Sequence, residues 1–194
     1  MPYKKGKISP QWWDYTSLED ELLDEIGALS FEDVLGLSRN GFKIKIYENL
    51  HELYAAQALE YLTSWKQSTS TNPTGICGPI GPTEQLPIVA KMINKLQIDI
   101  RDGHFWAMDE WLDENDNPVG IDHPLSFAKA NYDMCFDKID PKLRMPKENM
   151  HFPVGDLDEY TRSYDQAKCL VMQGGQGDIK HWAFNDPLKR EGQY

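Results

Sequence analysis

Positive charge is scarce in this 194-residue chain: 20 Lys and Arg stand against 31 Asp and Glu, a net charge of −11 at pH 7. Nucleic acid and anionic membranes both require clustered Lys and Arg, so this balance excludes a general binder of either. Long apolar runs are also missing. None approaches the roughly 18–20 residues needed to span a bilayer. The basic start, Met1 to Trp13, has no apolar stretch after it, which argues against a secretory signal. Only three cysteines occur, Cys77, Cys135 and Cys169, widely spaced and without a C-x-x-C. A disulfide framework is therefore not expected, and a reducing, cytoplasmic location is. Each cysteine fits the role of a small buried hydrophobe.

Several chemical signatures are absent as well. His51, His104, His123, His151 and His181 form no close pair, and no cysteine sits beside one, so no metal constellation emerges. There is no Gly-Lys-Ser/Thr of a P-loop and no G-x-S-x-G nucleophile elbow. Asp113, Asn115 and Asn117 imitate the alternating ligands of a calcium loop. The obligatory glycine would fall at Pro118 and the closing glutamate at Pro124, which excludes that reading. The residues alone point to no metal site.

What is present is a core-forming composition, 40% hydrophobic and 11% aromatic. Residues 1–42 read as an N-terminal extension with one short amphipathic helix around Leu18, Leu22, Leu23 and Ile26. From Lys43 the pattern becomes regular and predicts an α/β domain over 43–194. Lys43 to Tyr47 alternates like an edge strand. Asn49 with Glu52 predicts the start of a long helix that runs through Lys66. Short strands are expected at Gly75 to Cys77, His104 to Met108, Met150 to Phe152 and Cys169 to Met172. Helices are expected after Thr83, over Pro124 to Phe136, and from Asp156 through Ala167. Repeated strand–helix alternation predicts a three-layer, Rossmann-like, mostly parallel sheet. Ligands in such sheets bind at the carboxyl ends of the strands, so three loops matter.

The first loop, Gly78-Pro79-Ile80-Gly81-Pro82-Thr83, feeds a helix N-terminus, where backbone N–H groups can hold an anion. A plain turn is the alternative, since Pro79 and Pro82 each remove a donor. In the second, Asp109 and Glu110 follow an apolar strand. A carboxylate so placed is oriented by the sheet and partly desolvated, as a general base needs to be, although a solvated acidic loop reads equally from the residues. The third holds Gly174, Gly175 and Gly177, then His181, which titrates near neutrality, and Asp186, placed to orient it.

Met108-Asp109-Glu110-Trp111, Asp122-His123-Pro124-Leu125-Ser126-Phe127, and Gly174-Gly175-Gln176-Gly177 with His181-Trp182-Ala183-Phe184-Asn185-Asp186-Pro187 resemble the glucosamine-6-phosphate deaminase/isomerase family in motif, order and spacing. The resemblance runs from about Lys43 to Pro187. It implies aldose–ketose isomerisation of an amino-sugar phosphate without a cofactor. Asp109 would move a proton between C1 and C2, His181 would assist ring opening, and Asp186 would support His181. Gly78, Ile80, Gly81 and Thr83 would hold the phosphate, with Glu110, Gly174, Gly175 and Gly177 also lining the site. The chain departs from the family's pattern at Ile80, Pro82, Trp111, Ile179 and Asp186. Two alternatives stay open: a hydrolase resembling 6-phosphogluconolactonase, and a catalytically degenerate sugar-phosphate-binding protein. The resemblance also implies the N-terminal part of a larger domain, hence a homo-oligomer or association with a C-terminal part.

Overall fold

The computed structural model describes residues 20–175. The described residues fall in two compact units, 20–48 and Asn49–Gly175.

In the first unit, α1 spans Asp20–Gly27 and α2 spans Phe31–Gly36. Ser30 caps α2 reciprocally: its Oγ accepts from the Asp33 N–H while Asp33 accepts from the Ser30 N–H. The strand expected at Lys43 to Tyr47 does not form. Residues 43–47 are irregular and mostly exposed, and the Ile44 N–H donates to Ser38 Oγ at 3.0 Å instead of to a neighbouring strand. Alternating side chains make a strand only where a partner accepts the backbone ladder.

The second unit starts at Asn49, whose side chain accepts the Glu52 N–H and caps α3, Leu50–Lys66. Then follow β1 (Thr74–Gly78), α4 (Gln85–Leu96), β2 (His104–Ala107), α5 (Phe127–Met134), β3 (Met150–His151), α6 (Leu157–Ser163) and β4 (Lys168–Met172). All three strand pairings are parallel and the order is β3-β2-β1-β4. Gly75 lies opposite His104 on one side and Cys169 on the other.

Alternate residues of the buried strands serve opposite faces. Ile76 and Phe105 join Tyr61, Trp65, Leu86 and Ile93 in the larger core, with α3, α4 and α5. Cys77 and Trp106 join Ala167, Tyr160 and Tyr164 on the α6 side. Helices thus cover both faces, and the expected three-layer parallel α/β fold is what forms. Among the described residues, no helix is long and apolar enough to cross a membrane.

The order 3-2-1-4 has one reversal. From β1 the chain builds outward to β2 and β3, then returns to place β4 on the other side of β1. The carboxyl ends of β1 and β4 lie side by side at that reversal, the place where open parallel sheets bind ligands.

Candidate functional site

The first and third loops meet beside those carboxyl ends. Gly81 sits at φ +148°, before a cis peptide to Pro82. A Cβ on Gly175 would fall 2.5 Å from the Gly81 carbonyl oxygen, so the two loops touch backbone to backbone. Only glycine permits that approach. Gly174 and Gly175 are half-buried. The Gln173 N–H donates to the Cys77 carbonyl at 2.9 Å and the Met108 N–H to that of Gly78 at 3.2 Å, which continues the ladder past the formal strand ends.

The first loop is poorer in free donors than its glycines suggest. Pro79 and Pro82 have no N–H, and the Thr83 N–H donates to Glu84 Oε2 at 3.0 Å. The helix expected after Thr83 forms, but Thr83 does not cap it. The helix begins at Gln85, with Glu84 before it in helical geometry and no side-chain cap. Ile80 is half-buried and packs on the larger core.

The second loop is held by Glu110, which was expected among the substrate contacts. Its carboxylate accepts from the Trp111 N–H (3.0 Å), the Phe127 N–H (2.8 Å), the Ala128 N–H (2.9 Å) and the Ser126 hydroxyl (3.1 Å). Ser126 caps the same helix through the Lys129 N–H. Glu110 therefore ties Trp111 to the start of α5, where the helix dipole favours a negative charge. Two of the sequence motifs are joined by this one side chain.

Asp109 is half-buried, two residues beyond β2. Its charge bears on Cys77 and on Tyr160. Burial pushes the Cys77 thiol up to about 11 and the Tyr160 hydroxyl up to about 12. Burial also raises Tyr164 strongly, with its hydrogen bonds to Tyr160 and Cys77 adding to the effect. These groups stay protonated at neutral pH, so Asp109 has uncharged neighbours on this side. The Tyr160 hydroxyl donates to the Ala107 carbonyl at 2.7 Å and lies 3.2 Å from that of Tyr164. The Tyr164 ring stacks on Trp106 at 4.7 Å. Tyr160 fixes the backbone two residues before Asp109. Nothing local in the sequence distinguishes a tyrosine that packs from one that also hydrogen-bonds.

Gly177, His181 and Asp186 lie outside the described residues, as does Ile179. Among the described residues, no group of three or more His, Cys, Asp and Glu is placed to hold a metal ion. No family model matches the chain, and no curated protein matches it.

Proposed function

We propose that this chain is a sugar-phosphate aldose–ketose isomerase/deaminase, similar to the glucosamine-6-phosphate deaminase/isomerase family, at work in cytoplasmic amino-sugar metabolism. In this reading the substrate is the open chain of an amino-sugar phosphate. Asp109 carries the proton between C1 and C2 through an enolamine, and water then releases the amino group as ammonia to leave the ketose phosphate. His181 helps open the pyranose ring and Asp186 supports that histidine. Gly78, Ile80, Gly81 and Thr83 face the phosphate, with Gly174, Gly175 and Gly177 opposite. Carboxylate and imidazole supply acid–base chemistry of this kind by themselves.

One observation carries the reading. Segments far apart in sequence converge at the carboxyl end of a parallel sheet: Gly175 packs on Gly81, and Glu110 binds the start of α5. Asp109 follows β2 at the same end of the sheet as the two glycine-rich turns, which supports a site for a small polar substrate.

The test is incubation with glucosamine 6-phosphate while ammonia and fructose 6-phosphate are measured. Turnover is expected, with Asp109→Asn lowering it at least ~100-fold. No turnover by the unmodified chain sinks the reading. Hydrolysis of 6-phosphogluconolactone in a parallel assay selects a lactonase in its place. Self-association is a corollary, checked by sedimentation.

A further inference from the structure

The chain carries a net charge of −11, yet one of its cavities is lined by three cations and a single carboxylate. This cavity has a volume of about 410 Å³, within the range of small-molecule sites. It lies at the amino ends of β2 and β3: Arg101 comes just before β2, and Lys147 just before β3. The strands are parallel, so the cavity and the glycine-rich turns are at opposite ends of the sheet. Arg144 is the third cation. Tyr132, Met145 and Met150 supply an apolar wall.

Backbone bonds hold the cation-bearing segments together. The Ile100 N–H donates to the Leu143 carbonyl at 2.9 Å, so the residues preceding the two arginines are tied to each other. Beyond Lys147, Asn149 Nδ2 donates to the carbonyls of Arg101 at 3.3 Å and Gly103 at 3.0 Å. The arginines are only partly engaged. Arg101 meets Asp99 with Nε and Nη2. Arg144 donates from Nη1 to Asp137 Oδ1 at 2.9 Å and to the Phe136 carbonyl at 3.1 Å. A guanidinium has five N–H donors. Among the described residues, Nη1 of Arg101 and the Nε–Nη2 edge of Arg144 are unspent. That edge of Arg144 has the fork geometry that meets a phosphate or carboxylate with two parallel bonds. Arg144 is half-buried, so such bonds are little screened by salt. Lys147 makes no ion pair among the described residues, and its ammonium lies 5.8 Å from the centre of the Tyr132 ring. Asp99 and Asp137 balance the arginines, and the Lys147 charge is left for a ligand.

We propose that this cavity binds a small multivalent oxyanion, a molecule bearing a phosphoryl group or paired carboxylates. Arg144 and Lys147 take its oxygens, Arg101 sits at the rim, and Tyr132, Met145 and Met150 pack against its carbon body. The site is independent of the isomerase reading, which uses the other end of the sheet.

Methionine methyl resonances of the full chain provide the test. Inorganic pyrophosphate and citrate are titrated in separately, at constant ionic strength set with sodium chloride. The Met145 and Met150 methyls are expected to shift saturably, with Kd below about 10 mM. Met108 and Met172, at the carboxyl ends of β2 and β4, report on the other end of the sheet. Tighter binding of pyrophosphate assigns a phosphoryl ligand, and tighter binding of citrate a carboxylate one. Arg144→Gln is expected to weaken binding about 10-fold and Lys147→Gln about 2–5-fold. The Lys147 side chain is exposed and holds no backbone group, so its variant tests the site even where Arg144→Gln fails to fold. The proposal is overturned if Met145 and Met150 do not saturate, or if their response is the same in Lys147→Gln. A response at Met108 and Met172 alone also overturns it, and leaves the isomerase reading standing.

Discussion

At the scale of single residues, the first loop is marked as much by what occupies its donors as by what lines it. Glu84 places a carboxylate on the Thr83 N–H, the donor that the proposed reading offers to a phosphate oxygen. The two anions compete for one donor. Glu84→Gln is therefore expected to bind sugar phosphates about 2–5-fold more tightly, which corresponds to the ~0.5–1 kcal/mol of an exposed charge. Isothermal titration with fructose 6-phosphate checks it, and weaker binding by the variant would contradict it. Gly175 is the opposite case, where nothing can be added. A methyl group there meets the Gly81 carbonyl at 2.5 Å. Gly175→Ala is expected to cost about 1–3 kcal/mol of stability in urea unfolding and to weaken ligand binding. Asp109, Gly78 and Gly81 could be singled out from sequence because a residue just after an apolar run, or a glycine in a Pro-rich turn, announces its own position. The partners of Glu110 and Tyr160 could not, since they come from segments 16–18 and 53 residues away.

At the scale of elements, the start of α5 is the clearest case of a local signal completed by a distant one. The helix expected over Pro124 to Phe136 begins at Phe127, because Ser126 caps it and its side chain accepts the Lys129 N–H. Two further N–H groups of that first turn are satisfied by Glu110, across the loop. Glu110→Ala removes both bonds and the favourable charge at the dipole end. It is expected to lower stability by about 1–3 kcal/mol and to increase hydrogen exchange at Phe127 and Ala128 selectively. Uniform exchange across the domain would contradict the capping role. The edge strand expected at Lys43 to Tyr47 shows the converse. Its alternation is real, yet its backbone has found Ser38 and no strand. A helix closes its own hydrogen bonds, so α3 was legible to within its cap, whereas a strand depends on a neighbour that its sequence does not name.

At the scale of the whole sheet, the α6 side carries a pH dependence. His104 Nδ1 and His151 Nε2 lie 3.0 Å apart, and the stacked rings continue through Trp106 to Tyr164. Burial, and then the nearby His104, hold His151 down to about 4, and burial holds His104 below its ordinary value. Unfolded histidines titrate near 6.5. Between pH 6.5 and about 4 the unfolded chain binds protons that the folded chain refuses. Stability therefore falls as pH is lowered through that window and levels off below it. A loss of roughly 1–2 kcal/mol is expected for the half-exposed His151, solvent screening included. Urea midpoints of the unmodified chain and of His151→Gln, taken at pH 7 and pH 4.5, check this. The variant should show the smaller drop, and equal drops would refute the assignment.

The sequence by itself determined the class of this fold and the ends at which to look. Alternating strand and helix periodicities are local, and a parallel α/β sheet with helices on both faces is the arrangement that buries them. Tertiary structure alone decided which segments meet at the ends of the strands. Strand order 3-2-1-4 brings the carboxyl ends of β1 and β4 together, and no local pattern encodes that order. The same packing turned Glu110 into a helix anchor. Hydrogen bonds within a helix are set by nearest neighbours in the chain. Those that close a site join segments that only folding brings within 3 Å of each other.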